Sequence, residues 1–185
     1  HDLVVPLTPV TLALSLAVLL LNHSGWNRWF GLVSVIVAAV GFFVEVIGVK
    51  TLVLFGNYAY GQTLGPGIFE VPLAMAVNWL LLIYLTATLV SVRSWHILLK
   101  SLVAALLMTG MDVLIEPMAM ALDFWQWEND TVPLQNYAVW FGVSFALAYL
   151  FLAAPFKKGN RIAFGLFIIL VLFFGTLNLV YASPA

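Results

Sequence analysis

Asp112 and Glu116 stand four residues apart in the stretch 111–128, MDVLIEPMAMALDFWQWE, and Asp123 follows in the same stretch. No charged residue lies between Lys100 and Asp112. On a helix, positions four apart share one face. A carboxylate near the centre of a bilayer costs about 2.5–3.5 kcal/mol on insertion scales, so such residues read first as a functional site. A carboxylic acid taken out of water holds its proton and can act as a general acid. Delivered to a trisubstituted alkene, that proton makes a tertiary carbocation, which aromatic faces stabilise. A second carboxylate can then orient or deprotonate water. These residue types fit alkene hydration or alkene cyclisation, and a proton or ion pathway nearly as well.

The elements that must position them are apolar helices. The chain has 185 residues, 64% hydrophobic and 8% charged, where soluble domains carry roughly 25% charge. Its apolar runs are continuous rather than alternating, which indicates an all-α polytopic membrane bundle. Six spans are expected, at about 8–21, 29–49, 69–92, 95–120, 134–154 and 162–181, in one domain covering 1–185. The first is short for a bilayer, and a seventh helix could precede it. Arg28, Arg93, Lys100, Lys157, Lys158 and Arg161 fall on the odd-numbered loops, while Lys50 falls on the other side. The positive-inside rule puts those odd loops in the cytoplasm. A prokaryotic cytoplasmic membrane is the expected location. Trp26, Trp29 and Trp95 would form an inner aromatic belt, and Trp125, Trp127 and Trp140 would sit near the outer one.

Depth sorts the buried polar residues. Glu45 lies 17 residues beyond Arg28, roughly 25 Å up its helix. Asp112 and Glu116 lie 12 and 16 residues beyond Lys100, roughly 18 and 24 Å up theirs. Asn178 reaches a similar height above Arg161, and Asn78 enters from the opposite side, eight residues after Glu70. All five fall in the half away from the basic loops, as a single polar pocket there would require. Two loops cap that half. Residues 54–67, LFGNYAYGQTLGPG, carry Tyr58 and Tyr60 among glycines that forbid a continuous helix. Residues 122–135, LDFWQWENDTVPLQ, are rich in aromatics and acids and run on into Asn136 and Tyr137. Blander readings stand beside these. Glu45, Asp112 and Glu116 could be hydrogen-bonding glue between helices. Glu128 and Asp130 could be solvated loop acids, and Trp125 and Trp127 interface anchors. Glu70 is expected at the N-terminus of the third helix, favoured by its dipole, and His23 and His96 at the interface.

Several classes are excluded. There are no cysteines, hence no disulfide or thiolate site. Three histidines, one of them terminal, cannot furnish a di-iron hydroxylase. No GxGxxG opens a strand–helix unit, no acid cluster of the diphosphate-binding type is present, and no basic patch suits nucleic acid. The residues require no metal and no cofactor.

The motifs Glu45-Val-Ile-Gly48, Phe55-Gly-Asn-Tyr58-Ala-Tyr60, Val71-Pro72 with Asn78-Trp79, Met111-Asp112-Val-Leu-Ile-Glu116-Pro117, Leu122-Asp123-Phe-Trp125-Gln-Trp127 and Pro133-Leu-Gln135-Asn136-Tyr137 together resemble the CruF-type carotenoid biosynthesis family. Its members include carotenoid 1′,2′-hydratases and bisanhydrobacterioruberin hydratases. The resemblance spans about 45–140 and is most specific from Asp112 to Asn136. It implies addition of water to the terminal double bond of a linear carotenoid such as lycopene, γ-carotene or bisanhydrobacterioruberin, leaving a tertiary alcohol. Asp112 or Glu116 is then the expected proton donor and Glu45 its partner or the water-orienting base, with Asp123 in reserve. Tyr58, Tyr60, Trp79, Trp125, Trp127 and Tyr137 would line the pocket, and Asn78 and Asn136 would position water or a carboxyl. The implied partners are the carotenoid and the lipid bilayer, with self-association or association with other carotenoid enzymes left open. An end-group cyclase, a carotenoid-binding protein without catalysis and a proton-coupled transporter are the rival readings. The transporter should show polar residues through the whole membrane depth.

Overall fold

The structure, a computed structural model, describes residues 7–182. It is an all-α bundle of six helices: α1 (Thr8–Leu21), α2 (Arg28–Thr51), α3 (Ala74–Ser91), α4 (Ile97–Ala121), α5 (Leu134–Ala153) and α6 (Ala163–Ala182). Among the described residues, α2 to α6 are long and apolar enough to cross a membrane. With 14 residues, α1 spans roughly 21 Å, short of a hydrocarbon core of about 30 Å.

The bundle is built around α3, which packs against each of the other five helices. Its buried residues run almost without break from Asn78 to Thr88. A helix apolar on every side belongs in a core, and α3 does. The surrounding helices turn large apolar side chains outward, among them Val35 and Phe43 on α2, Leu106 and Val113 on α4, and Ile169 and Leu172 on α6. That outward face suits lipid rather than water.

Five of the six expected helices fall within about two residues of their predicted ends. The third begins later, at Ala74 rather than Phe69. Val71 precedes Pro72, and a residue before proline is pushed towards extended backbone. Accordingly β2 (Gly67–Ile68) and β3 (Val71–Pro72) pair as a hairpin. Its two turn residues, Phe69 and Glu70, both take positive φ, 55° and 69°, the backbone of a two-residue primed turn. Glu70 therefore does not cap α3. It forms an exposed ion pair with Lys50 at 2.6 Å, worth little in stability.

A second ribbon joins β1 (Tyr58–Tyr60) to β4 (Trp125–Trp127), antiparallel, with Tyr58 opposite Trp127 and Tyr60 opposite Trp125. Gly61 N–H to the Phe124 carbonyl (3.0 Å) and Glu128 N–H to the Asn57 carbonyl (2.9 Å) extend the pairing. Strand side chains alternate between faces. Tyr58, Trp125 and Trp127 thus point inward and are buried, while Ala59 and Gln126 point out. Trp125, Trp127 and Trp140 are no interface belt, being 7%, 5% and 4% exposed. Trp26, Trp29 and Trp95 do lie on the surface.

Two glycines on α2 admit this arrangement. A Cβ on Gly41 would sit 2.3 Å from the Trp79 ring, and one on Gly48 would sit 2.3 Å from Phe55 and 3.0 Å from the Tyr58 hydroxyl. They flank Glu45 at four residues before and three after, on its own face. Gly41→Ala and Gly48→Ala should each lower the melting temperature in detergent, because overpacking costs about 1–3 kcal/mol against about 1 kcal/mol gained in helix propensity. Gly110→Ala and Gly142→Ala, where an added methyl meets nothing within 4 Å, should melt at or above the parent. Circular dichroism melts of the four variants decide, and an equal response in both pairs would refute the packing role.

Candidate active site

Three helices bring carboxyl groups and amides together under the β1–β4 ribbon. Glu45 on α2 and Asp112 and Glu116 on α4 are 2%, 1% and 2% exposed. Asp112 and Glu116 turn inward, while Val113 and Pro117, one step round the helix, face out. No lysine, arginine or histidine is hydrogen-bonded or ion-paired to any of the three among the described residues. Their partners are neutral donors.

Glu45 is held on both oxygens. Its Oε2 accepts from the Tyr58 and Tyr60 hydroxyls, each at 2.8 Å, and its Oε1 from Trp79 Nε1 at 2.9 Å. Burial, reinforced by the Glu45 carboxylate, pushes both phenols well above their ordinary range, so they remain donors. Glu116 is held likewise. Its Oε2 accepts from Trp125 Nε1 (2.9 Å) and Trp127 Nε1 (2.8 Å), and its Oε1 from Asn136 Nδ2 (3.1 Å). The same Asn136 amide donates to Asp112 Oδ2 at 2.9 Å. One amide thus bridges the two α4 carboxyls, and each strand of the ribbon serves one glutamate.

Aromatic rings enclose the group. Tyr58 and Trp127 lie 4.9 Å apart, Tyr60 meets Trp125 edge-on at 6.0 Å, and Trp79 stacks on Trp140 at 4.3 Å. Two cavities adjoin. One, about 10 Å³, is lined by Glu45, Glu116, Asn136 and the ring walls, and is close to the least space that holds one water. The other, about 50 Å³, is apolar and lies between α1, α3, α4 and α6. Met75 and Trp125 line both. Asn78 faces the apolar one with no hydrogen-bond partner among the described residues, though only 9% exposed.

Not every expected residue converges here. Asp123 sits at positive φ (56°), exposed, and its Oδ2 is 3.5 Å from the Gln62 amide. Asn178 ties α6 to α4, donating to the Leu114 and Phe174 carbonyls at 2.7 and 2.8 Å. Tyr137 is half-buried and lines neither cavity. Met75 lines the polar cavity without having been singled out, and so does Phe55, quoted above only within a motif, since an apolar residue carries little signal of its place. The pairing of Tyr58 with Trp127 in one ribbon was not read from the sequence, where both fall in capping loops.

If Asn136 bridges two carboxyls, Asn136→Leu should lower unfolding free energy by about 1–3 kcal/mol, the cost of leaving a buried acceptor unpaired. Asn136→Leu combined with Asp112→Leu should depart from additivity by about 0.5–3 kcal/mol. Denaturant titration in detergent measures the cycle, and additivity would dissolve the bridge.

Comparison with known proteins gives the family. The family model described as "Carotenoid biosynthesis protein" matches residues 4–184. A bisanhydrobacterioruberin hydratase of Haloarcula japonica is 32% identical over 124 residues. That match covers 62% of this chain and 42% of the relative, so the chain spans less than half of that protein. No solved structure matches the chain. The family that the residue motifs resemble is also the one that the match over nearly the whole length indicates: the chain belongs to the carotenoid biosynthesis protein family.

Proposed function

We propose that this chain is a hydratase acting on the terminal double bond of a linear carotenoid and leaving a tertiary 1′-hydroxyl. One observation carries the reading. Two buried carboxyls, Glu45 and Glu116, line a cavity of about 10 Å³ that adjoins an apolar pocket through Met75 and Trp125. A hydration needs both spaces, one for water and one for the hydrocarbon end. A cyclase needs the second and must keep water from the cation, so the small polar cavity favours hydration. The hydratase name of the Haloarcula japonica relative agrees with it.

In this reading the Asp112–Glu116 pair, sharing one amide, supplies the proton. The alkene's electron pair forms the new C–H bond at the alkene carbon bearing one hydrogen, and the cation is left on the end carbon bearing two methyl groups. The ring faces of Trp125, Trp127 and Tyr58 attract that charge. Glu45, fixed by three donors, is the anion beside it. A lone pair of water forms the C–O bond, and the proton that this water sheds goes to a carboxyl. The carboxyl set spends one proton and regains one per turnover, and the substrate gains one water. No oxidation state changes, so no redox partner is required.

Two measurements test this. Purified protein given linear carotenoid in water enriched in heavy oxygen should yield pigment heavier by one labelled water; product of unchanged mass would indicate cyclisation instead. Asp112→Asn and Glu116→Gln should each lower turnover by about 100-fold or more, the usual contribution of a positioned acid or base, while the protein stays folded. Full activity in both would remove the acid role from α4.

A further inference from the structure

The end of the bundle opposite the carboxyls carries a second feature, independent of the reaction. There α3, α4 and α6 part around a groove of about 500 Å³. Its walls are hydrocarbon, including Leu107 on α4 and Phe164 and Phe167 on α6. Its rim carries Arg93 and Lys158 with Trp95. Lys100 stands close by, its Nζ donating to the Ser91 carbonyl at 3.1 Å.

Among the described residues these cations have no counter-charge. Among the described residues every aspartate and glutamate lies in the far part of α2 or α4 or in the loops at that end. The single ion pair there, Lys50 with Glu70, is at that far end too. Lys158 is held in place instead, its Nζ donating to the Ala154 and Phe156 carbonyls and lying 4.2 Å from the Phe156 ring centre. Burial and repulsion from Lys100 pull its ammonium below the ordinary lysine range. Unpaired cations above an apolar cleft match one ligand form, an anion joined to hydrocarbon.

We propose that this groove binds an anionic phospholipid, its phosphate between Arg93 and Lys158 and an acyl chain against α6. Basic residues near a membrane surface contribute about 1 kcal/mol each to anionic lipid binding, roughly 5-fold in affinity per cation. The pair should therefore favour phosphatidylglycerol over phosphatidylcholine by roughly 30-fold.

Native mass spectrometry of the full chain in neutral detergent, titrated with each lipid, reads that ratio. Arg93→Gln with Lys158→Gln should bring phosphatidylglycerol to the phosphatidylcholine level. Lys157→Gln, which removes an exposed charge outside this groove at the same end, should leave the preference intact. If the double variant fails to fold, Arg93→Gln alone, at the exposed rim, should weaken phosphatidylglycerol roughly 5-fold. An unchanged preference in the groove variants, or an equal loss in Lys157→Gln, overturns the site. Inorganic phosphate raising the melting temperature of the lipid-free protein as much as phosphatidylglycerol does would assign it to a soluble anion and overturn it as well.

Discussion

Keeping three carboxyl groups in a hydrocarbon bundle without a cation is the constraint on which this architecture rests. Each costs about 2.5–3.5 kcal/mol at the bilayer centre. A hydrogen bond to a charged group returns about 1.5–3 kcal/mol, so the three donors on Glu45, and the three on Glu116, are enough to offset that cost. The donors are phenols, indoles and one carboxamide. An arginine would solve the same problem with one side chain, but it would also cancel the negative charge. Neutral donors satisfy the oxygens and leave the field of the carboxylate in place. A cation forming nearby still feels it. The carboxyls and the aromatic cage are therefore one device: the rings that hold the acids are also the rings that would face a carbocation.

The ribbon follows from this. On a helix, Tyr58 and Tyr60, or Trp125 and Trp127, being two residues apart, would point about 200° away from each other and could not serve one acid. A strand can, because every second residue faces the same way. Pairing β1 with β4 sets the two rows side by side, and the loop between α2 and α3 becomes part of the core. Gly41 and Gly48 belong to the same solution from the helix side, removing the side chains that would hold Trp79 and Tyr58 away from Glu45.

This explains what the sequence disclosed and what it did not. Apolar runs placed the helices closely, because burial in lipid demands length and continuity. Counting along each helix put Glu45, Asp112, Glu116 and Asn178 at a common depth. Depth is only one coordinate, however. Asn178 has the right height but the wrong azimuth, since its amide points at the backbone of α4. Asp123 is close in sequence to Trp125, but its positive φ turns the chain and leaves it outside. Three-residue strands carry too little periodicity to stand out in a loop, yet YAY and WQW were the pattern that mattered. Asn136 was expected to position water or a carboxyl, but that it bridges two carboxyls was not legible, because which side chain meets two others is settled only when helices pack.

The middle of α3 separates the two ends of the molecule. Trp79 anchors the carboxyl network, and Tyr84, five residues on, anchors another, accepting from Asn160 Nδ2 at 2.9 Å and meeting His23 Nδ1 at 2.7 Å. Between them stand Leu80, Leu81, Leu82 and Ile83, none more than 7% exposed. Five residues of helix are roughly 7.5 Å, and water does not enter a dry apolar wall without polar partners. A proton path along α3 would have to cross that wall. A hydratase makes the opposite demand: one side must be sealed so that the cation meets a single water rather than bulk solvent. In the proposed reaction, water and hydrocarbon would meet the carboxyls from separate cavities, the small one under the ribbon and the apolar one beside α1 and α6. Two separate approaches to one set of carboxyls are what joining a water to an alkene requires.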